Sequence, residues 1–158
     1  YPGMRKMTFV YLLLFTVQAF AATYETVDGN RSRLKNIDGT PHKRSGDLGP
    51  GKNLRWAGLE KADLRNANLC FTDLRNANLE DANLTAADLH GSVIGGASLR
   101  NANLSRCLLG GSELDGADFR GAMNWQKADW KGARYKQGAE PQWPQGFSPE
   151  QAGIIVEP

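Results

Sequence analysis

Apolar residues recur along most of this chain at a fixed spacing of five. From Asn53 onward they fall at Leu54, Leu59, Leu64, Leu69, Leu74, Leu79, Leu84, Leu89, Ile94, Leu99, Leu104, Leu109, Leu114 and Phe119. Two residues before most of these centres stands a small residue, as at Ala57, Ala62, Ala82, Ala102, Cys107 and Ser112. The position between is Asn or Asp in most repeats, as at Asp63, Asn68, Asn78, Asn83, Asp88, Asn103 and Asp118. The hexapeptide Leu-Arg-Asn-Ala-Asn-Leu occurs at 64–69, 74–79 and 99–104.

A period of five fits neither common element. On an α-helix, residues five apart lie about 140° apart around the axis, which smears the Leu stripe. On one extended strand, alternate Leu residues face opposite sides. A chain that turns a corner every five residues resolves the conflict. Four such sides close a coil of about twenty residues, with each centre and the small residue before it facing inward. The other three positions of each repeat face outward. Successive coils then pair as parallel strands about 4.8 Å apart, and every backbone group away from the ends finds a partner.

The A-[D/N]-L-x-x array resembles the pentapeptide-repeat family over Asn53–Tyr135, and the tail Trp143–Gly153 is similar to the segment that often follows such repeats. The resemblance implies an all-β fold, a right-handed quadrilateral parallel β-helix of about four coils. It implies little about function, because fold does not give function. Some members of the family mimic DNA and act on DNA gyrase.

The array has legible ends. After Phe119 the spacing slips by one residue, which predicts centres at Trp125, Trp130 and Tyr135, with Met123, Ala128 and Ala133 in the small slots. Ser148-Pro149-Glu150-Gln151 reads as an N-cap, a Pro at the first helical position and a capping-box Gln, so a short capping helix is expected within a C-terminal cap over 136–158. Residues 22–52 are read as an N-terminal cap held through Leu34 and Ile37, with Thr40–Gly51 flexible. Residues 1–21 read as a signal peptide with upstream residues. Arg5 and Lys6 form a basic start, Met7–Val17 is apolar, and Ala19-Phe20-Ala21 is a cleavage site before Ala22. This predicts a secreted or periplasmic protein, lumenal in a phototroph, without a stable membrane anchor after cleavage.

Charge narrows the function. The array carries ten Lys and Arg against ten Asp and Glu. A DNA mimic needs a strongly negative rod, so this neutral one is expected to bind neither a topoisomerase nor nucleic acid. No Gly-rich phosphate loop or closely spaced Cys/His ligand set occurs, and no cofactor is expected. The coil places Cys70 and His90 in adjacent coils with Asp88 beside them, residue types that can form nucleophile, base and orienter. A convex surface without a pocket makes two stacked surface residues the better reading. Glu60, Glu80, Arg100 and Arg120 form a column that predicts a Glu80–Arg100 pair. Cys70 and Cys107 belong to sides two coils apart, too far for a disulfide. Not an enzyme, then, but a structural or interaction module is expected.

One region departs from the polar pattern. Gly91, Gly95, Gly96, Gly110, Gly111 and Gly116 flank the side centred on Ile94 and Leu114, while Val93 and Leu108 stand where other repeats carry polar residues. This predicts a flat, side-chain-poor contact face for self-association or an unidentified protein partner.

Overall fold

The computed structural model describes residues 47–158 and three short strands before them. Strand β1 (Thr23–Glu25) pairs with β2 (Arg31–Arg33) antiparallel and with β4 (Asp47–Leu48) parallel. Strand β3 (Lys35–Asn36) lies antiparallel on β5 (Ala62–Asp63), in the first coil. The segment 1–21, and with it the predicted leader, lies outside the described residues, as do Leu34 and Ile37.

The repeats close as coils of twenty. Parallel bridges join Asn53 to Asp73, Gly58 to Asn78, Asp73 to Val93, Val93 to Glu113 and Ser98 to Asp118. All fourteen predicted centres are buried, thirteen of them at 0% exposure and Leu54 at 1%. The small slots are buried as well. Three of them carry hydroxyls, and each hydroxyl donates to a carbonyl at or near a corner: Ser92 to Leu89 at 2.7 Å, Ser112 to Leu109 at 2.6 Å, and Thr72 to Gly49 at 3.1 Å. A buried hydroxyl without such an acceptor would cost about 1–3 kcal/mol.

The five-residue unit follows from where its five N–H groups go. The small residue donates back across the corner to the preceding centre, as Ala77 does to Leu74 at 2.9 Å. The centre donates to the next coil, Leu74 to Val93 at 2.8 Å, and the residue before it to the previous coil, Asn78 to Ala57 at 2.8 Å. The second corner residue also donates to the next coil, Asn76 to Gly95 at 3.0 Å. It sits at positive φ, +57° at Asn76, as the third residue of a type II turn does. The first corner residue has no backbone acceptor. Its N–H takes the side-chain oxygen two residues earlier: Arg55 from Asn53, Arg75 from Asp73, Glu80 from Asn78, His90 from Asp88 and Arg120 from Asp118, all within 3.2 Å. The Asn/Asp column therefore exists to hold the one amide the coil leaves over.

Both ends differ from the sequence reading. The core begins earlier than the repeats suggest, with Leu48 at 0% exposure and Gly51 donating to Cys70 at 2.9 Å. Leu48 and Gly49 are thus buried and Gly51 is tied to the array, where a loose loop was expected. At the other end the extra residue enters one step later than expected. Ala122 keeps the small slot at 6% exposure, and Met123 faces outward at 53%. Met123 still bridges Asn103, twenty residues away, whereas Asp129 and Arg134 bridge residues twenty-one away. The centre slot at Asn124 holds a polar residue that the core cannot accept. The chain bulges there through a 3-10 turn, Trp125–Lys127, and Trp125 is only half-buried.

The expected capping helix does not form. Ser148 does accept the Gln151 N–H, at 3.4 Å, and Ala152 donates to the Ser148 carbonyl. Gly153, at φ +76°, then ends the turn after one cycle. The chain continues as β7 (Ile155–Glu157), parallel to β6 (Arg134–Lys136). Aromatic rings close the core instead: Trp143 stacks on Phe119 at 5.6 Å and Phe147 on Trp143 at 4.6 Å.

Candidate interaction face

The corner amides divide the surface. Where the residue before the centre is Val93, Ser98, Leu108 or Glu113, no side chain caps the amide that follows. Gly95, Arg100, Gly110 and Asp115 accordingly donate their N–H to no protein acceptor among the described residues. Val93, Gly95, Glu113 and Asp115 all lie on the side centred on Leu54, Leu74, Ile94 and Leu114.

The predicted contact residues do not form one surface. Val93, Gly95, Gly96 and Gly116 share that side; an added Cβ at Gly116 would meet nothing within 4 Å, whereas one at Gly96 would run into the Asn76 amide oxygen and one at Gly95 would sit 3.3 Å from the Asp115 carbonyl oxygen. Gly91 and Gly111 form the corner next to it, but Gly91 is covered: a Cβ there would sit 2.6 Å from the Phe71 ring. Leu108, 42% exposed, lies on the adjoining side. Gly110 is a correction. It is buried, with its Cβ direction 3.2 Å from the Lys131 carbonyl oxygen and 3.4 Å from the His90 ring, so it does not point to solvent.

Sequence reasoning missed two exposed aromatics. Trp56 is 72% and Phe71 65% exposed, and both occupy the second corner position at positive φ. Their signal was available: other repeats fill that position with Asn, Gly, Asp, Lys, Ala or Arg.

Two contacts are fixed in the Cys70–His90–Asp88 grouping. The Asp88 carboxylate accepts the His90 backbone N–H at 2.9 Å, and the His90 ring lies edge-on to Phe71 at 5.7 Å. A hollow of about 380 Å³ beside Leu108 holds Asp88 and Asp129 with Arg106 and Lys127, but each carboxylate already accepts a backbone N–H. Burial drives the Cys107 thiol far above its usual range, and no disulfide joins it to Cys70. No cluster of three metal-ligating side chains occurs among the described residues, and no helix there is long and apolar enough to cross a membrane.

The expected Glu80–Arg100 pair is not among the ion pairs of the described residues, some of which lie within single repeats. Arg75 forks onto Asp73 at 2.6 and 2.9 Å, and Arg120 onto Asp118 at 2.7 and 2.9 Å. The guanidinium hydrogen bonds hold both carboxyls below the usual carboxylate range. Between coils, Arg134 pairs with Glu113 at 2.7 Å.

The family model for pentapeptide repeats matches residues 53–91, 62–101 and 97–129. A pentapeptide repeat protein from Nostoc PCC 7120 is 30% identical, covering 66% of this chain and 80% of its own, with a TM-score of 0.44. The chain belongs to the pentapeptide-repeat family. HetL, a pentapeptide repeat protein involved in heterocyst differentiation regulation from Nostoc sp. strain PCC 7120, is 23% identical, covering 66% of this chain and 67% of its own at TM-score 0.36. A pentapeptide repeat protein from the Arabidopsis thaliana thylakoid lumen is 26% identical, covering 53% and 65% at TM-score 0.24. No curated protein matches the chain.

Proposed function

We propose that this pentapeptide-repeat protein is an exported, non-catalytic module that works by protein contact, built as a right-handed quadrilateral solenoid. The observation that carries this reading is the use of its polar groups. The Asp residues of the repeat column that could supply acid–base chemistry, Asp63, Asp73, Asp88, Asp118 and Asp129, each hold a corner amide, as Asn53, Asn68, Asn78, Asn83 and Asn103 of the same column do. What remains for function is surface: exposed Trp56, Phe71 and Leu108, and a glycine-rich side with uncapped donors. Exposed aromatics beside smooth backbone are features of contact surfaces.

Export rests on the Arg5-Lys6 start, the apolar run and Ala19-Phe20-Ala21. N-terminal sequencing of the protein from its native compartment should begin at Ala22; a full-length, membrane-extracted form refutes export. Crosslinking that mature form in place, followed by mass spectrometry, should give specific adducts through the side bearing Val93 and Gly95. Adducts scattered evenly over the solenoid refute the contact reading.

A further inference from the structure

We infer that the hollow between the 3-10 turn and the C-terminal tail is a binding site for an uncharged saccharide. This goes beyond the contact reading above and stands on other residues. The hollow exists because the array slips. A regular coil is convex and packs its centre inward. Here the polar Asn124 occupies the slot of a centre, and the bulge that follows leaves Trp125 half out of the core. The tail passes alongside. Between the two lies a space of about 380 Å³, at the small end of the range for small-molecule sites.

Both walls are fixed before any ligand arrives. The Trp125 carbonyl accepts the Ala128 N–H at 3.2 Å and the Trp130 indole N–H at 3.0 Å, which sets the first wall. On the second, the Phe147 N–H donates to the Pro144 carbonyl at 3.1 Å and Ala152 to Ser148 at 3.1 Å. The Phe147 ring joins the walls, edge-on to Trp125 at 5.2 Å and to Trp130 at 4.9 Å. Trp143 stacked on Phe119 already closes the core, so a half-open Trp125 is not needed for that.

The lining selects the chemistry of the ligand. The Trp125 indole N–H and the side-chain amides of Gln126 and Gln151 hydrogen-bond to no protein group among the described residues. An apolar ligand would strip water from these groups and return nothing. Among the described residues that line the hollow, Asp129 alone is charged. Its Oδ1 accepts the Lys131 N–H, and it also borders the hollow beside Leu108, where Arg106 and Lys127 stand. An anion would meet a carboxylate, and a cation would find that carboxylate's charge shared with two others. A neutral ligand rich in hydroxyls suits what is left. The C–H face of a sugar ring packs on an aromatic ring, and its neighbouring hydroxyls match a planar amide or carboxylate. A flat base is held best between parallel faces, and these rings meet at 73° and 64°.

Saturation-transfer NMR on the full chain tests this. The probes are N-acetylglucosamine, methyl glucoside, methyl galactoside, cellobiose, lactose and chitobiose. At least one should bind saturably with a Kd on the order of millimolar, as a ligand with few atoms allows. Gln126→Ala with Gln151→Ala, both at exposed positions, should leave the melting temperature unchanged and weaken that binding by about tenfold. Trp125→Ala should abolish it. No saturable binding of any of these sugars, or binding that the Gln126→Ala, Gln151→Ala variant leaves intact, overturns the proposal. Adenosine or choline that binds through Trp125 while every sugar fails overturns it too, and reassigns the hollow to a base or a cation.

Discussion

Leu84→Ala tests the inward–outward assignment directly. Leu84 is 0% exposed, and its N–H is fixed to the Asn103 carbonyl at 2.9 Å. Its neighbours above and below, Leu104 and Leu64, are also at 0% exposure, and their backbones are tied to the adjoining coils. A core held by a hydrogen-bonded frame on every side cannot collapse into the space. The loss should therefore lie in the middle or upper part of the range for such truncations, about 3–4 kcal/mol. With an unfolding entropy of about 2.1 cal/mol/K per residue over the array and caps, that lowers Tm by about 10–15 °C. The control is the next residue. Thr85 is half-buried and its hydroxyl donates to Asn83 at 2.6 Å, a bond beside solvent that water can replace. Thr85→Ala should cost about 1 kcal/mol or less. Thermal unfolding followed by circular dichroism measures both variants side by side. Equal melting temperatures would refute the assignment of centres to the core.

Three further outcomes follow from the corners and the buried thiol. Gly91→Ala and Gly116→Ala each place a side chain at φ near +65° and should cost about 1 kcal/mol; Gly91→Ala should cost more because its Cβ meets the Phe71 ring, and Phe71→Ala should erase the difference in melting temperature. An aromatic disulfide reagent at pH 8 should leave Cys107 unmodified in the folded protein, because burial raises its thiol pKa, and should modify it once the chain is denatured. The Arg75 and Arg120 forks lower the folded-state pKa values of Asp73 and Asp118. The stability they contribute is therefore complete above the ordinary Asp value of about 3.9 and disappears as pH falls through the lowered folded values; Asp73→Asn with Asp118→Asn should flatten the acid limb of the stability–pH curve, and an unchanged limb would contradict the forks.

The repeats were legible because one physical pattern is written many times. Fourteen centres and their small slots announce a coil whatever any single repeat does, and the bridges at a spacing of twenty follow from that. Places where two local signals compete were not legible. Ser148–Gln151 carries a genuine N-cap, but Gly153 stops the turn and the strand pairing of β7 takes the chain onward. The register slip was visible, yet its location depended on which residue could be left outside, and Met123 is expelled while Ala122 stays. The contact side was read from its glycines together with Val93 and Leu108. That reasoning could not see that Gly110 lies under His90 and Lys131, nor weigh Trp56 and Phe71, whose importance comes from exposure.

The uncapped corners carry the last prediction. In this fold Asn or Asp before the centre stabilises a corner at no cost elsewhere, so Val93 and Leu108 stand where a better residue for the solitary protein is one substitution away. Val93→Asn should supply Gly95 with the acceptor it lacks, as Asn83 does for Thr85 at 3.1 Å. Leu108→Asn should do the same for Gly110. The gain per corner is about 0.5–1.5 kcal/mol, the ordinary net value of a hydrogen bond. It should be larger at Gly110, which is buried, than at Gly95, where water already reaches the amide. Thermal unfolding followed by circular dichroism reads this gain. Val93→Asn and Leu108→Asn variants that melt no higher than the parent chain would show that these corners do not lack a hydrogen-bond acceptor.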